Sequence, residues 1–124
     1  MFWRRNDREF DHRMLLLDLP RNQRRVLDAL MLKLRFGNYI SASYADLSKL
    51  TGIAEPHISA SMRVLCKEDL VVRLSRGEYM LNPLLCYMGD GKTRSGAIGR
   101  YMEAKRKERK ADKDKAARKQ EAKQ

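Results

Sequence analysis

Residues 43–83 decide the fold, and they read SYADLSKLTGIAEPHISASMRVLCKEDLVVRLSRGEYMLNP. Ser43 and Asp46 have the spacing of a capping box, in which each side chain satisfies an exposed backbone N–H at a helix start. Gly52 can adopt the left-handed conformation that ends a helix, and Pro56 suits a first helical turn, where its missing N–H is not needed. The stretch therefore predicts a helix, a tight turn and a second helix.

Apolar residues give each of these helices an inward face. Leu47 and Leu50 are expected to form the buried face of the first helix, and Ile53 to pack inward from the turn. In the second helix the apolar residues recur at i, i+4 and i+7, which places them on one side. They are Ile58, Met62 and Leu65. We interpret them as core residues, so only their outward neighbours are candidates for function.

A basic hairpin follows the second helix. Residues 70–74 form an apolar strand, residues 75–77 a turn with a basic tip, and residues 78–81 a returning strand that Asn82-Pro83 ends. Residues 39–42 alternate as a short strand that would pair with this hairpin. Residues 21–35 carry helical apolar spacing at Val26, Leu27, Leu30 and Leu34. This order predicts a winged helix-turn-helix, a mainly α fold with a small β-hairpin.

The composition indicates a single domain with a polyanionic partner. At 124 residues the chain can bury one modest core, and its net charge of +11 favours nucleic acid. No stretch approaches the roughly 20 apolar residues of a membrane span, and residues 1–10 lack the apolar core of a signal peptide. We therefore expect a cytoplasmic protein without a membrane partner, in which Cys66 and Cys86 stay reduced.

The sequence contains no catalytic motif. It lacks a phosphate-binding Gly-x-x-x-x-Gly-Lys loop, a Gly-x-Gly-x-x-Gly fingerprint and a convincing carboxylate pair. Tyr87 and Tyr101 could be nominated as nucleophiles of a DNA-nicking initiator. However, such enzymes hold a metal with two histidines that bracket one apolar residue, whereas His12 and His57 are far apart. We expect no enzyme activity, no cofactor and no metal site.

The composition changes after residue 91, which suggests a winged-helix domain at residues 1–91 and a basic tail at residues 92–124. Residues 100–124 contain eleven Lys or Arg and five Asp or Glu, a net charge of +6. Strong helix formers without a hydrophobic stripe predict a solvated helix or a disordered tail. Such a tail either adds non-specific phosphate affinity or only keeps the protein soluble.

The N-terminal segment mixes aromatic residues with arginines. Phe2, Trp3 and Phe10 lie among four arginines within residues 1–19. Packing of these aromatics against the domain or a dimer partner is favoured over an N-terminal arm on DNA.

The outward face of the second helix carries the candidates for DNA base readout, because the N-terminal half of a recognition helix lies nearest the base edges. These are Glu55, His57, Ser59, Ala60 and Arg63. Arg63 suits a bidentate contact with guanine, and Glu55 can accept from cytosine N4. The candidates for DNA backbone contact are Ser43, Tyr44, Lys49, Thr51 and Lys67, with Arg73, Ser75 and Arg76 on the wing.

Residues 41–91 resemble the plasmid replication protein RepL family. The most specific element is Gly-x-Tyr-Met-x-Asn-Pro at residues 77–83, followed by an aromatic residue and Gly89-Asp90. The resemblance implies a winged-helix protein needed for plasmid replication, which recognises double-stranded DNA at or near the origin and has host replication proteins as further partners. The basic tail, the arginine-rich N-terminus and residues 54–57 depart from the family pattern.

Other functions fit the same fold. The main alternative is a transcriptional regulator, either an autorepressor or a copy-number controller. An RNA-binding or ribosome-associated basic protein is a second alternative, and a pure protein-interaction module leaves the +11 charge without a purpose. Since winged helices commonly pair to recognise two half-sites, we expect a homodimer, with residues 14–17 and 84–88 as its surface. The alternative for residues 84–88 is that their apolar side chains pack back onto the domain.

Overall fold

Four helices and three strands follow one another along residues 19–122, the part of the chain that the computed structural model describes. They are α1 (Arg21–Leu32), β1 (Tyr39–Ser41), α2 (Tyr44–Thr51), α3 (Glu55–Lys67), β2 (Val71–Ser75), β3 (Glu78–Leu81) and α4 (Gly91–Ala122), with a short 3-10 turn at Phe36–Asn38. The hypotheses about the N-terminal aromatics and about residues 14–17 fall outside the described residues.

The three strands form one antiparallel sheet in the order β1-β3-β2. Ile40 of β1 pairs with Tyr79 of β3, and Val72 of β2 pairs with Met80 of β3. The turn between β2 and β3 requires a left-handed residue, which Gly77 supplies at φ 77°. The predicted pairing of the first strand with the wing hairpin is confirmed, and the whole arrangement is a winged helix-turn-helix.

The start and the end of α2 follow the predicted local chemistry. The Ser43 hydroxyl accepts from the Asp46 N–H at 3.1 Å, and the Ser43 N–H donates to the Asp46 carboxylate at 3.1 Å. Gly52 ends the helix at φ 74°. The prediction for Leu50 is wrong, because this side chain is 52% exposed. The inward face runs instead from Leu47 to Thr51 at i, i+4 spacing, so Leu50 lies at its edge.

The core lies between α1, α2, α3 and the sheet. The apolar residues predicted for this core are confirmed as buried: Val26, Leu27, Leu30, Leu34, Ile53, Ile58, Met62 and Leu65. Burying an aliphatic side chain of this size stabilises a fold by about 1.5–3 kcal/mol. Because the inward face of α3 is wholly used in this way, its outward residues are held at a fixed angle to the domain.

Residues 84–88 return onto the core and are held by one buried side chain, Asn38. Its Nδ2 atom donates to the carbonyls of Leu81 at 3.1 Å and Cys86 at 2.7 Å, and its Oδ1 atom accepts from the Met88 N–H at 2.7 Å. Leu85, Cys86 and Tyr87 are buried in consequence. The prediction that residues 84–88 form a dimer surface is therefore wrong for its central three residues. Homodimerisation itself stays a prediction.

The C-terminal helix is partly packed, which corrects the prediction of a tail without a buried stripe. Ala97, Tyr101 and Lys105 recur at i, i+4 spacing and are buried, the lysine to 6% exposure. Beyond Glu108 every described residue of α4 is exposed. The helical alternative for the tail is confirmed, and α4 consists of a docked first half and a projecting second half. The division of the chain at residue 91 stays a prediction.

Buried polar groups hold α4 against the domain. The Lys105 ammonium donates to the carbonyls of Cys66 at 2.5 Å and Val71 at 3.0 Å, and to the Glu108 carboxylate at 3.1 Å. The Tyr101 hydroxyl donates to Asp69 at 2.9 Å. Glu108 in turn accepts from the backbone N–H of Arg73 at 3.0 Å. These bonds tie α4 to the end of α3 and to the strand that leads into the wing.

Both cysteines are thiols and form no disulfide. Burial and the nearby Glu108 carboxylate raise the pKa of Cys66 to about 11. Its thiol therefore stays protonated near neutral pH, which makes it a poor nucleophile and a poor metal ligand.

Candidate nucleic-acid interface

The outward face of α3 is polar, cationic and open to solvent. Glu55, His57, Ala60, Arg63 and Lys67 are all exposed, and Ser59 is half-buried. Small or polar residues near the helix start allow close approach to another surface, and the two cations follow toward its end. The helix therefore presents the dimensions and the chemistry that a major groove accommodates.

The wing brings further cations beside the starts of α2 and α3. A cleft of about 350 Å³, which we call the wing cleft, contains residues from all three elements. Its polar lining residues include Ser43, Tyr44, Glu55, Arg73 and Arg76. The side chains predicted separately for base readout, backbone contact and wing contact thus meet at one place.

A second cleft continues this surface along α3 toward the C-terminal helix. It has a volume of about 580 Å³, and we call it the α3–α4 cleft. Arg63 and Lys67 of α3, Arg73 of β2 and Arg109 of α4 line it, together with the carboxylates of Glu108 and Asp112. Arg73 lines both clefts and joins them.

The cations of this surface are available for an external anion. Within residues 19–122, no carboxylate forms an ion pair with Arg63, Arg73 or Arg76. Two carboxylates near the surface are already paired with other cations: Glu78 with Arg35 at 3.7 Å, and Glu108 with Lys105 at 3.1 Å. In each cleft the lining cations outnumber the carboxylates, with Arg73 and Arg76 beside Glu55 in the wing cleft, so the local field is positive where the recognition helix and the wing meet.

Tyr44 and Tyr79 line both clefts. Burial raises the pKa of Tyr79 to about 12, and the neighbouring Tyr44 hydroxyl adds to the effect. Tyr79 therefore stays neutral across the physiological pH range and forms a buried wall of the surface. Tyr44 is half-buried. Its ring is thus held at the start of α2, next to the cations of the wing.

One predicted backbone contact is wrong. Thr51 is buried, and its hydroxyl donates to the Leu47 carbonyl at 2.7 Å and accepts from the Ile53 N–H at 3.2 Å. It completes the end of α2 and has no path to a phosphate. Lys49 is exposed on α2 but lines neither cleft, and Ser75 is exposed in the strand that leads into the wing. Their DNA contacts stay predictions.

Arg109 is the residue of this surface that sequence reasoning missed. It comes four residues after Lys105, so it stands near the docked face of α4, one turn farther along. The four-residue spacing from Tyr101 to Lys105 leads to Arg109 as the next residue on this side of the helix. It would have predicted the position of Arg109 only if Lys105 had been recognised as buried. In a basic segment that conclusion is not available from composition.

Neither clustered metal-ligating side chains nor a membrane-spanning helix occurs in the described part of the chain. Within residues 19–122, no group of three or more His, Cys, Asp or Glu is arranged to hold a metal ion. The helices of the same residues include none that is both long and apolar enough to cross a bilayer.

Fold and surface together define a winged helix-turn-helix protein with a cationic face on its second helix and wing. Residues 10–123 match the family model described as Firmicute plasmid replication protein (RepL), so the chain belongs to the RepL family. It is a plasmid replication-related protein. Comparison with curated proteins and with solved structures gives no match.

The family match extends well beyond the stretch that carries the resemblance in sequence. It includes nearly all of α4, which was expected to depart from the family pattern. The C-terminal helix therefore belongs to the family architecture and is not an appendage of this chain.

Proposed function

We propose that this protein binds double-stranded DNA through α3 and the wing, and that it acts at a plasmid origin in the initiation or control of replication. The observation that carries the proposal is the meeting of Arg63, Arg73 and Arg76 on one exposed surface without partner carboxylates among the described residues. Membership of the RepL family supplies the plasmid context.

In this proposal the exposed residues of α3 contact the base edges. Arg63 can donate two hydrogen bonds to the O6 and N7 atoms of guanine, and Glu55 can accept from the N4 amino group of cytosine. His57, Ser59 and Ala60 stand between these two along the same face. A small side chain such as Ala60 permits the close approach that a thymine methyl group requires.

Backbone contacts surround this readout. Arg73 and Arg76 would hold phosphates or enter the minor groove beside the wing, while Ser43 and Tyr44 approach the backbone from the start of α2. Lys67 and Arg109 extend the positive surface toward α4. The projecting half of α4 adds charge that strengthens non-specific binding at low salt. A protein in this role works in the cytoplasm, where the plasmid is.

Homodimerisation is part of the proposal, since two recognition helices on one face read a repeated site. The buried residues 85–87 cannot form its interface in this conformation. Light scattering of the full chain at micromolar concentration, alone and with DNA, checks the stoichiometry. A single copy on every bound duplex contradicts the dimer and leaves the DNA-binding proposal intact.

The decisive test compares the DNA that flanks the gene with a scrambled duplex of equal length, over a range of salt concentrations. We expect tighter binding to the native DNA at every salt concentration, because base contacts do not depend on counterion release. Equal affinity for both duplexes overturns sequence-specific binding.

The position of the protected site then separates two roles on the same fold. Directly repeated sites beside an AT-rich region support action at an origin. A single inverted repeat over a promoter would instead assign a transcriptional regulator, either an autorepressor or a copy-number controller. Binding to structured RNA as tight as to duplex DNA overturns both roles.

A further inference from the structure

A third depression lies beside α4, with different walls from the DNA-binding surface. It has a volume of about 580 Å³, and we call it the α4 groove. Leu84 forms part of one wall, and Ile98 and Met102 of α4 form part of the other. Met102 is 58% exposed, so its apolar side chain is accessible from the groove. No wing residue between Arg73 and Glu78 lines this groove.

The rim of the α4 groove is cationic. Arg106, Arg109, Lys110 and Lys113 line it at i, i+3, i+4 and i+7 spacing, which places them on one side of the helix. Arg106 pairs with Glu103 at 2.6 Å, but within residues 19–122 the other three cations make no ion pair. The carboxylate on the opposite wall, Asp69, accepts from the Tyr101 hydroxyl at 2.9 Å. The rim therefore attracts an anionic partner.

The side chains inside the α4 groove indicate which kind of anionic partner it fits. Single-stranded nucleic acid binds on exposed aromatic rings, on which its bases stack. The aromatic residue of this groove, Tyr101, is only 3% exposed, and its hydroxyl is bonded to Asp69. The accessible apolar lining consists of the half-buried Leu84 and Ile98 and the exposed Met102, and such a lining with a methionine is typical of grooves that accept the apolar face of a helix. The apolar lining and the cationic rim together are complementary to an amphipathic helix, whose apolar face would meet the lining and whose acidic flank would meet the rim.

We propose that the α4 groove docks an amphipathic, acidic helix of a partner protein. This function goes beyond DNA binding, since the groove shares only Lys105 and Arg109 with the α3–α4 cleft and no residue with the wing cleft. The bonds of Lys105 hold α4 in place before a partner arrives, so little ordering of the groove is required on docking.

The test uses the full chain and a synthetic, fluorescein-labelled helical peptide. The peptide carries leucines on one face and glutamates along one flank. We expect saturable binding by fluorescence anisotropy, together with shifts of the methyl NMR signals of Leu84, Ile98 and Met102. Reversing two rim charges in Lys110→Glu/Lys113→Glu should weaken binding about tenfold, because each lost charge pair at an interface rim contributes modestly.

A matched control lies on another side of the same helix. Arg100→Glu/Lys107→Glu makes the same change in charge at two exposed residues that do not line the groove. It should leave peptide binding within about twofold of wild type. Met102→Gln removes apolar contact without a change in charge and should also weaken binding. Circular dichroism melts of all variants establish that each one folds.

Several results would overturn the proposal. These are equal losses in the two charge-reversal variants, equal binding of a sequence-scrambled peptide, or no saturable binding with wild type. Displacement of the peptide by oligothymidylate would assign the groove to single-stranded DNA. Shifts of the same methyl signals by a peptide of residues 1–18, tighter than those by the acidic helix, would assign it to the chain's own N-terminal segment. None of these results bears on duplex binding by α3, which is measured separately.

Discussion

Arg73 is the side chain at which the candidate interface is joined, because it lines both the wing cleft and the α3–α4 cleft. Arg63 of α3 shares the α3–α4 cleft with it, and Arg76 at the tip of the wing shares the wing cleft. If the protein binds DNA as proposed, these two positions imply different contacts with it. A recognition helix meets base edges, whereas a wing meets the backbone or the minor groove.

The Arg63→Ala variant should lose binding to the native site more than binding to scrambled duplex, by about 1–3 kcal/mol, since a bidentate contact with guanine is removed. Arg76→Ala should weaken binding to both duplexes by similar factors, because a phosphate contact carries no sequence information. Fluorescence anisotropy with both duplexes at fixed salt measures the two ratios.

A control variant removes the same charge elsewhere. Arg25 is exposed on α1 and lines neither cleft, so Arg25→Ala should change both affinities little. If Arg63→Ala and Arg76→Ala lose the same factor on both duplexes, Arg63 does not recognise bases.

At the residue scale, the sequence predicted what local geometry decides. Ile58, Met62 and Leu65 follow from helical spacing over a long helix, and all are buried. In the short helix α2 the same reasoning could not decide between i+3 and i+4 neighbours of Leu47. Thr51 lies inside and Leu50 outside because the domain packs against the i+4 row. The phosphate contact predicted for Thr51 failed for the same reason.

Within single elements, the capping box of α2 is the clearest case of sequence chemistry that determines a helix start. Ser43→Ala should lower the free energy of unfolding by about 1 kcal/mol, because one helix N–H loses its acceptor. Chemical denaturation measures the change. Ser95→Ala, at an exposed position in α4, is the control and should cause no comparable loss. If the two variants are equally stable, the box contributes nothing to the fold.

The second side chain of the capping box, the Asp46 carboxyl group, titrates in acid. The hydrogen bond from the Ser43 backbone N–H lowers the pKa of Asp46 below its ordinary value of 3.8, and the Ser43 hydroxyl adds a smaller effect in the same direction. Because the folded-state pKa is the lower one, the stabilisation is present above pH 3.8 and is lost as the pH falls through the folded value. Wild type should therefore lose more stability in this acid range than Asp46→Asn does. Parallel acid dependence in both proteins would contradict this.

The docking of α4 depends on one buried ammonium group. Lys105→Met should destabilise the protein by about 3 kcal/mol, because it leaves Glu108 and two carbonyl oxygens without their cation. Thermal unfolding measures the loss, and faster trypsin cleavage in α4 should accompany it. Lys107→Met removes an exposed lysine two residues away and should change stability by less than about 0.5 kcal/mol.

A second substitution separates the charge from the packing. Lys105→Met/Glu108→Gln should recover part of the lost stability, since the unpaired carboxylate is then neutral. Full stability of the single variant would mean that α4 does not rely on this lysine.

This docking is also where prediction from sequence ended. Capping residues, turn glycines and apolar spacing act within a few residues, so the helix-turn-helix, the hairpin and most of their outward residues followed from the chain itself. The buried stripe of α4 contains an alanine, a tyrosine and a lysine, which do not form a recognisable apolar pattern. Lys105 is buried only because folding places the carbonyls of Cys66 and Val71 around its ammonium group.

For the whole molecule, the docking of α4 produces a helix whose first half packs against the domain and whose second half projects from it. Residues 109–122 are exposed and extend for about 20 Å at the rise of an α-helix. Ending the chain at residue 91 would remove Ala97 and Tyr101 from the core, so it would not isolate the effect of the basic charge. A truncation that keeps the docked half of α4 is needed.

Ending the chain after Lys113 removes Lys115, Arg118, Lys119 and Lys123, with two carboxylates. It keeps both the buried stripe and the rim of the α4 groove. We expect a shallower dependence of DNA affinity on salt, by up to about 0.9 in logarithmic slope per lost phosphate contact, with the preference for native over scrambled DNA unchanged. Full-length protein with these four cations replaced by glutamine should behave in the same way if charge is the cause. An unchanged slope in both proteins would mean that the end of α4 does not contact DNA. Loss of the preference would place part of the sequence recognition in α4.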